Sequence, residues 1–473
     1  MNNYKQLGKN TILVFVGNIG SKMITFVMLP FYTKWLSVED YGTSDNALVY
    51  ATLLLGIVSL SISESIFIFP KDQETDKQKQ FFTAGLVYSS VLLCVAGFIL
   101  FGVKEFFSQA GILKSITDNY IFIYTLVVTL FFQTFLQQFS RSINNIKVYS
   151  ISGVVLTLLT AVFSVAFIPN YGLEGFFIAQ ILSYIVSGVY TFIHSKAYNY
   201  ISFKTLSLER YKEMLKYSIP LIPNAVMWWL VGSLNRPVME QYLGMHAVGL
   251  FAVSNKFPSL VNVLFSVFMV SWQISVIEEF KKENYEKFYN NILKIVFLFL
   301  ILCVMTISIL GKALTGFVAD AKFIDSWKYI PILSLSALFS SVSGFIGCNF
   351  SATRESKYYF YSSIWGALIA IVFNFLLIPI WGLYGAVVAI VLSHLTMMIS
   401  RVKYSWNTVK IKEIYLYVLM LVICFTDVMV SSFISNSYII IITFLISIAI
   451  LAVLMRKDIM NGIQFFKFKF FRK

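Results

Sequence analysis

Apolar runs long enough to cross a bilayer recur along the whole of this 473-residue chain. A spanning helix needs about 20 apolar residues. Inside hydrocarbon every backbone N–H and C=O must be satisfied by the chain itself, so such runs become helices. Runs bounded by charge, Pro or Gly fall at 10–33, 43–69, 81–103, 117–138, 148–168, 173–194, 215–236, 248–276, 290–311, 328–350, 358–378, 383–400, 413–433 and 436–455. They predict an all-α membrane protein of 14 transmembrane helices with no sizeable soluble domain. The chain is 58% hydrophobic and 13% charged, about half the charge that a water-facing surface carries.

The net charge of +14 would suggest nucleic acid in a soluble chain; here it reports topology instead. Across alternate connections, 28 of the 37 basic residues fall on one side of the membrane and 7 on the other. That asymmetry predicts both termini in the cytoplasm. Cys94, Cys303, Cys348 and Cys424 lie within apolar runs, unspaced for metal or redox work, and read as small buried hydrophobes. The first run is too long for a signal-peptide core, so the N-terminus is expected to be retained. The tail Gln464–Lys473 alternates Phe with basic residues, a pattern suited to anchoring at the membrane interface.

The chain also repeats itself. At an offset of 210, Ile168-Pro169, Gly172-Leu173, Gly175, Ala179 and Leu182-Ser183 recur as Ile378-Pro379, Gly382-Leu383, Gly385, Ala389 and Leu392-Ser393. At an offset of 207, Lys9, Ile12, Pro30, Leu36 and Gly42 recur as Lys216, Ile219, Pro237, Leu243 and Gly249. Spans 1–6 and 7–12 are therefore two copies of one unit, and an even number of spans makes the copies parallel, related by an axis along the membrane normal. The expected organisation is an N-terminal lobe at 1–200, a second lobe at 201–405, and two appended helices with a basic-aromatic tail at 406–473. Two such bundles around a cleft can rock open to either side, which is the layout of a transporter. No GxxxxGK[ST] phosphate loop is present, so the drive is an ion gradient, the membrane potential or the substrate gradient.

The opening segment, with Pro30, Leu36 and Tyr41-Gly42 leading into span 2, together with the two IPxxGLxG hairpins, resembles the O-antigen flippases of the Wzx type. These form the polysaccharide-transporter branch of the multidrug/oligosaccharidyl-lipid/polysaccharide exporter superfamily. The resemblance implies a flippase that moves an undecaprenyl-diphosphate-linked oligosaccharide from the cytoplasmic to the periplasmic leaflet of a bacterial inner membrane. Its partners would be that lipid-linked glycan, membrane lipids and other polysaccharide-assembly proteins, with no cofactor and no nucleic acid. A sugar and a diphosphate cannot cross about 30 Å of hydrocarbon unaided, whereas the prenyl tail can stay in lipid. The protein need only supply a wet, cationic, aromatic-lined cleft.

Candidate site residues follow from charge and aromaticity at depth. Lys22 lies about twelve residues into span 1, roughly 18 Å deep at 1.5 Å per residue. A cation there costs about 2.5–3.5 kcal/mol unless it faces water or a partner, so it either lines the cleft or pairs with Glu64 on span 2. Lys256, in span 8, either lines the cleft or snorkels. The resemblance favours the cleft for both, since related lipid II flippases place cations on spans 1 and 8; on span 2, where they place another, this chain offers Asn46. Trp228 and Trp229, mid-span, suit stacking on sugar rings or helix packing. Arg236, beside Pro237, is a substrate contact or an interfacial anchor, and Glu64 is the candidate for ion coupling. Asp427, in span 13, serves lipid-tail docking or simple burial.

Two other readings compete. An ion-coupled drug exporter of the same superfamily fits the topology, though two buried lysines would repel cationic drugs. A polysaccharide polymerase would need a large catalytic loop, and the longest outer connections, near 104–116 and 312–327, are too short. No HExxH or nucleophile constellation is present, so the chain is not expected to be an enzyme.

Overall fold

The computed structural model describes residues 24, 26–109, 113–406, 408–434 and 436–456. Among them every regular element is a helix. In chain order these are α1 (Leu29–Trp35), α2 (Val38–Val58), α3 (Ile62–Ile68), α4 (Thr75–Gln109), α5 (Lys114–Asp118), α6 (Tyr120–Ser142), α7 (Ile146–His194), α8 (Leu208–Ser218), α9 (Ile222–Ser233), α10 (Asn235–Leu243), α11 (Met245–Glu279), α12 (Tyr285–Val318), α13 (Ile330–Ala352), α14 (Lys357–Trp381), α15 (Leu383–Ser405), α16 (Ile414–Phe433) and α17 (Ser437–Leu454), with short 3-10 turns between some of them. Among the described residues ten helices are long and apolar enough to cross a membrane, or eleven when the bent pair α2 and α3 counts as one span.

Where the helices depart from the expected spans, local chemistry gives the reason. Most of the first expected span, Lys22 included, lies outside the described residues. Span 2 bends by 63° between α2 and α3, with Leu60 and Ser61 in the left-handed region. The Ser59 and Ser61 hydroxyls donate to the Leu55 and Gly56 carbonyls, competing locally with the helical ladder. Span 7 is divided among α8, α9 and α10, because Pro220, Pro223 and Pro237 each remove a backbone donor.

Spans 5 and 6 are joined in the 49-residue α7, interrupted at Gly172, whose φ of 53° and ψ of −127° are non-helical. Its repeat-mate Gly382 also has positive φ, 58°. A side chain would strain both turns. Three residues on, a Cβ at Gly175 would overlap the Phe167 carbonyl, and one at Gly385 would overlap the Leu377 carbonyl. Both glycines of the IPxxGLxG motif are thus explained, the first by backbone conformation and the second by close approach. The two hairpins repeat in structure as they do in sequence.

Backbone contacts divide the chain into two units. One comprises residues through Val253 with Val318–Phe323 and Ala370–Ala386; the other comprises Ser254–Phe317, Ile324–Ile369 and the chain from Val387 onward. The first unit therefore holds segments of both sequence repeats. Its core includes Phe82 against Phe135 and Phe139, with ring centroids 5.6 and 4.3 Å apart.

In the second unit α13 is the central helix. Of its most apolar stretch 89% is buried, against 11% for α17, whose Tyr438 and Val453 are exposed. At Gly347 of α13 the Tyr359 ring occupies the space that a Cβ would need, so a small residue admits its neighbour there. Cys348 and Cys424 are buried as expected, but Cys94 is exposed, because its stretch of α4 turns a hydrophobic face outward.

One fully buried cation ties the second unit together. Arg401 donates from Nε to the Ser362 hydroxyl at 3.0 Å and from a terminal nitrogen to the Ser343 carbonyl at 2.9 Å, and it lies 4.7 Å from the Tyr359 ring centroid. It thereby links α13, α14 and α15. Hydrogen bonds to a charged group contribute about 1.5–3 kcal/mol each. Arg401→Ala should lower thermal stability in detergent by several kcal/mol, and Arg401→Lys should recover only part, lacking the planar fork. A loss under about 1 kcal/mol for the alanine variant would show that the guanidinium does not cross-link these helices.

Candidate functional site

One backbone crossing and two polar clusters join the repeats within the first unit. The short helices α1 and α10 are repeat-mates, and so are the starts of α2 and α11 that follow them. Where α2 and α11 cross, Gly42 faces Gly249. A Cβ on Gly42 would lie 2.7 Å from the Gly249 nitrogen and also strike the Met245 carbonyl, while one on Gly249 would overlap the Val38 carbonyl. At the offset of 207, Gly42 maps to Gly249 and Val38 to Met245. The contact is reciprocal, as a two-fold relation between the copies requires.

Beside this crossing sits a buried ion pair. Arg236 of α10 donates from Nε to the Asp45 carboxylate of α2 at 2.8 Å, with the two side chains only 7% and 11% exposed. The guanidinium also reaches the Gly232 carbonyl at 3.3 Å and lies 5.2 Å from the Phe251 ring centroid. One helical turn further along α10, Glu240 collects four donors. Its Oε1 accepts from the Ser115 backbone N–H at 2.7 Å; its Oε2 accepts from Asn46 Nδ2 at 2.8 Å, the Ser115 hydroxyl at 2.9 Å and the Tyr50 hydroxyl at 3.4 Å. All four groups donate, and the carboxylate oxygens accept.

The repeat accounts for part of this geometry too. Glu240 is the mate of Thr33. The Thr33 hydroxyl accepts from the Asp320 backbone N–H at 3.1 Å, much as Glu240 accepts from Ser115. Each copy thus ties the end of a short helix to a connecting segment. One uses a neutral hydroxyl and the other a carboxylate.

Five of the seven expected site residues are described in the first unit. Arg236 and Asn46 lie in the polar clusters. Trp229 donates from its indole nitrogen to the Val49 carbonyl at 3.2 Å and lies 6.4 Å from the Tyr50 ring centroid, between a cavity of about 300 Å³ and one of about 190 Å³. Trp228 is exposed. Glu64, exposed in the first turn of α3, is not brought to these clusters. Lys256 is half-buried on α11 in the second unit, where its carbonyl accepts from the Ser259 hydroxyl at 2.6 Å. Lys22 lies outside the described residues. Asp427 is buried on α16, and neither carboxylate oxygen has a hydrogen-bond partner among the described residues.

Sequence reasoning passed over Asp45, Ser115 and Glu240. A signal for two of them was available: Arg236 and Glu240 stand four residues apart on a short proline-containing helix and so share a face, and Asp45-Asn46 is a polar pair in a run that is otherwise apolar farther in. Among the described residues no group of three metal-ligating side chains could hold a metal ion.

The comparisons agree with this architecture. The polysaccharide biosynthesis protein family matches over residues 7–273. Capsular polysaccharide biosynthesis protein CapF of Staphylococcus aureus is 23% identical over 400 residues, which cover 83% of this chain and 97% of that protein. The lipid II flippase MurJ in an inward-closed conformation superposes with a TM-score of 0.72 at 16% identity, covering 95% of this chain and 99% of that one. An inward-facing multidrug resistance transporter of the MATE family superposes with a TM-score of 0.67 at 15% identity, covering 83% and 93%. The all-helical fold is one that this chain shares with both of these membrane proteins. The chain belongs to the polysaccharide biosynthesis protein family.

Removing one member of a buried ion pair strands the other, at a cost of about 3–5 kcal/mol, whereas replacing both with apolar groups of similar size is nearly neutral. Arg236→Ala should therefore destabilise the protein in detergent far more than the double variant Asp45→Leu/Arg236→Met. Equal losses in the two unfolding curves would mean that the pair is not coupled.

Proposed function

We propose that this chain is a flippase that carries an undecaprenyl-diphosphate-linked oligosaccharide from the cytoplasmic to the periplasmic leaflet of a bacterial inner membrane by alternating access. Membership of the polysaccharide biosynthesis family supports the substrate class. The single observation that carries the mechanism is the reciprocal crossing of Gly42 and Gly249, flanked by the Arg236–Asp45 pair. It brings equivalent ends of two parallel repeats together on one side, as one end state of a rocking transporter does. By the distribution of basic residues, that side is the periplasmic one.

The lobes in this reading are the repeats 1–200 and 201–405, with the pair at 406–473 appended. Charged latches suit a gate, because water can replace each partner's hydrogen bonds when the gate opens; a purely apolar seam would expose hydrocarbon instead. Lys22 and Lys256 are assigned to the diphosphate, and Trp228 and Trp229 to the sugar rings. Arg236 and Asn46 meet the glycan as the latch parts. Glu64 remains the candidate for ion coupling. The work is transport rather than bond-making, so no catalytic group is assigned.

Two experiments test this. In a cysteine-free background, Asp45→Cys and Arg236→Cys joined by a short reducible thiol cross-linker should trap the lipid-linked glycan on the cytoplasmic face, and reduction should release it. Continued flipping with the link in place would sink the gate. Separately, Lys22→Ala/Lys256→Ala should abolish surface polysaccharide in complemented cells; undiminished display would remove the cationic-cleft assignment.

A further inference from the structure

The cavity of about 300 Å³ in the first unit is walled by α2, α4, α6 and the α9–α10 segment, through Leu53, Leu100, Ile123, Tyr124 and Trp229 among others. Its size is at the lower end of ligand pockets. The polar atoms of its walls are already used. Tyr50 donates to Glu240 and Trp229 to the Val49 carbonyl. Tyr120 donates to the Gly97 carbonyl at 2.6 Å, Tyr124 to the Leu93 carbonyl, and Thr117 to the Lys114 carbonyl at 3.1 Å. A sugar would find almost nothing to hydrogen-bond here, and a buried hydroxyl without a partner is costly. A hydrocarbon chain would lose nothing.

One wall residue differs. Lys104 is half-buried, its ammonium 4.9 Å from the Phe101 ring centroid and 5.8 Å from that of Tyr120. Among the described residues no carboxylate forms an ion pair with it; Glu105, its neighbour in sequence, is exposed. The cavity also reaches the outer face of α4. Its wall residue Val103 is 38% exposed, and Phe98 and Phe106 beside it are 80% and 70% exposed. An apolar cavity that opens on an apolar helix face, with one cation in its wall, matches a chain that carries an anion.

We propose that this cavity binds an anionic phospholipid of the surrounding bilayer, one acyl chain inside and the headgroup phosphate on Lys104. The inference does not rest on the flippase reading, since it concerns a resident lipid rather than cargo. The modest volume favours part of one acyl chain over a long prenyl chain, and the lack of free polar groups argues against the glycan.

The test uses native mass spectrometry of the purified full-length protein, titrated with phosphatidylglycerol, with phosphatidylcholine of matched chains, and with undecaprenyl phosphate. Phosphatidylglycerol should be retained at least about fivefold more strongly than phosphatidylcholine, whose choline ammonium offsets its phosphate, in line with one cation near a headgroup of net negative charge. Lys104→Gln should erase that preference, and Leu53→Trp, which fills the cavity, should abolish retention of both phospholipids. Should Leu53→Trp fail to fold, the near-surface Lys104→Gln still decides. Equal retention of the two phospholipids, an unchanged preference in Lys104→Gln, undiminished retention in a folded Leu53→Trp, or tighter binding of undecaprenyl phosphate would each overturn the proposal.

Discussion

Gly42 and Gly249 permit an approach that no other residue allows. Each places its missing side chain against the partner helix's backbone, at the Gly249 nitrogen and the Met245 carbonyl on one side and at the Val38 carbonyl on the other. Because α10 runs into α11 through Gly244, moving α11 away from α2 by the width of a methyl group would draw Arg236 from Asp45 and Glu240 from Asn46, and hydrogen bonds weaken steeply with distance and angle. The charged clusters therefore depend on the glycines. Backbone contact supplies the register, and the side chains exploit it.

The charges carry a different burden. A buried ion pair gives little net stability, since desolvation offsets most of the attraction. The Arg236–Asp45 pair is thus better suited to fixing which surfaces meet than to holding them together, and the same holds for Glu240 with its four donors. Such contacts are strong only while complete. Losing one partner leaves the others stranded, which makes the joint all-or-none and suits an element with two discrete arrangements. The second unit is built differently: Arg401 meets a carbonyl, a hydroxyl and an aromatic face, and so joins three helices.

Much of the fold was legible in the sequence, because the bilayer leaves few choices. Apolar runs fixed the helical class, and Pro and Gly at matching offsets revealed the repeat. What stayed hidden has physical causes. The bend at Leu60 and Ser61 arises from serine hydroxyls that read as ordinary polar residues in a span. The breakup of span 7 needed three prolines to be weighed together. At the site, Lys256 and the tryptophans stood out because depth makes a cation or an indole conspicuous. Asp45, Ser115 and Glu240 lie nearer the ends of runs, where polar residues are expected, and only the fold shows that they converge from α2, α5 and α10.

The repeat also shows how the two copies diverge. Thr33 and Glu240 occupy equivalent positions and accept from equivalent connecting segments, one with a hydroxyl and the other with a carboxylate. Asp45 corresponds to Ala252, and Arg236 to Leu29, so the ion pair has no counterpart across the axis. Symmetry is kept where geometry demands it, at the glycines and the IPxxGLxG turns. It is broken where chemistry is added. A symmetric pair of bundles would present the same groups twice, whereas a lipid-linked oligosaccharide is asymmetric along its length, with an anionic diphosphate between an apolar tail and a neutral or charged glycan. Placing the charged members of the joint on α2 and α10, and leaving hydroxyl and aliphatic mates on α1 and α11, gives the parting surfaces unequal faces. The proposed cargo, unequal along its own length, would meet unequal faces.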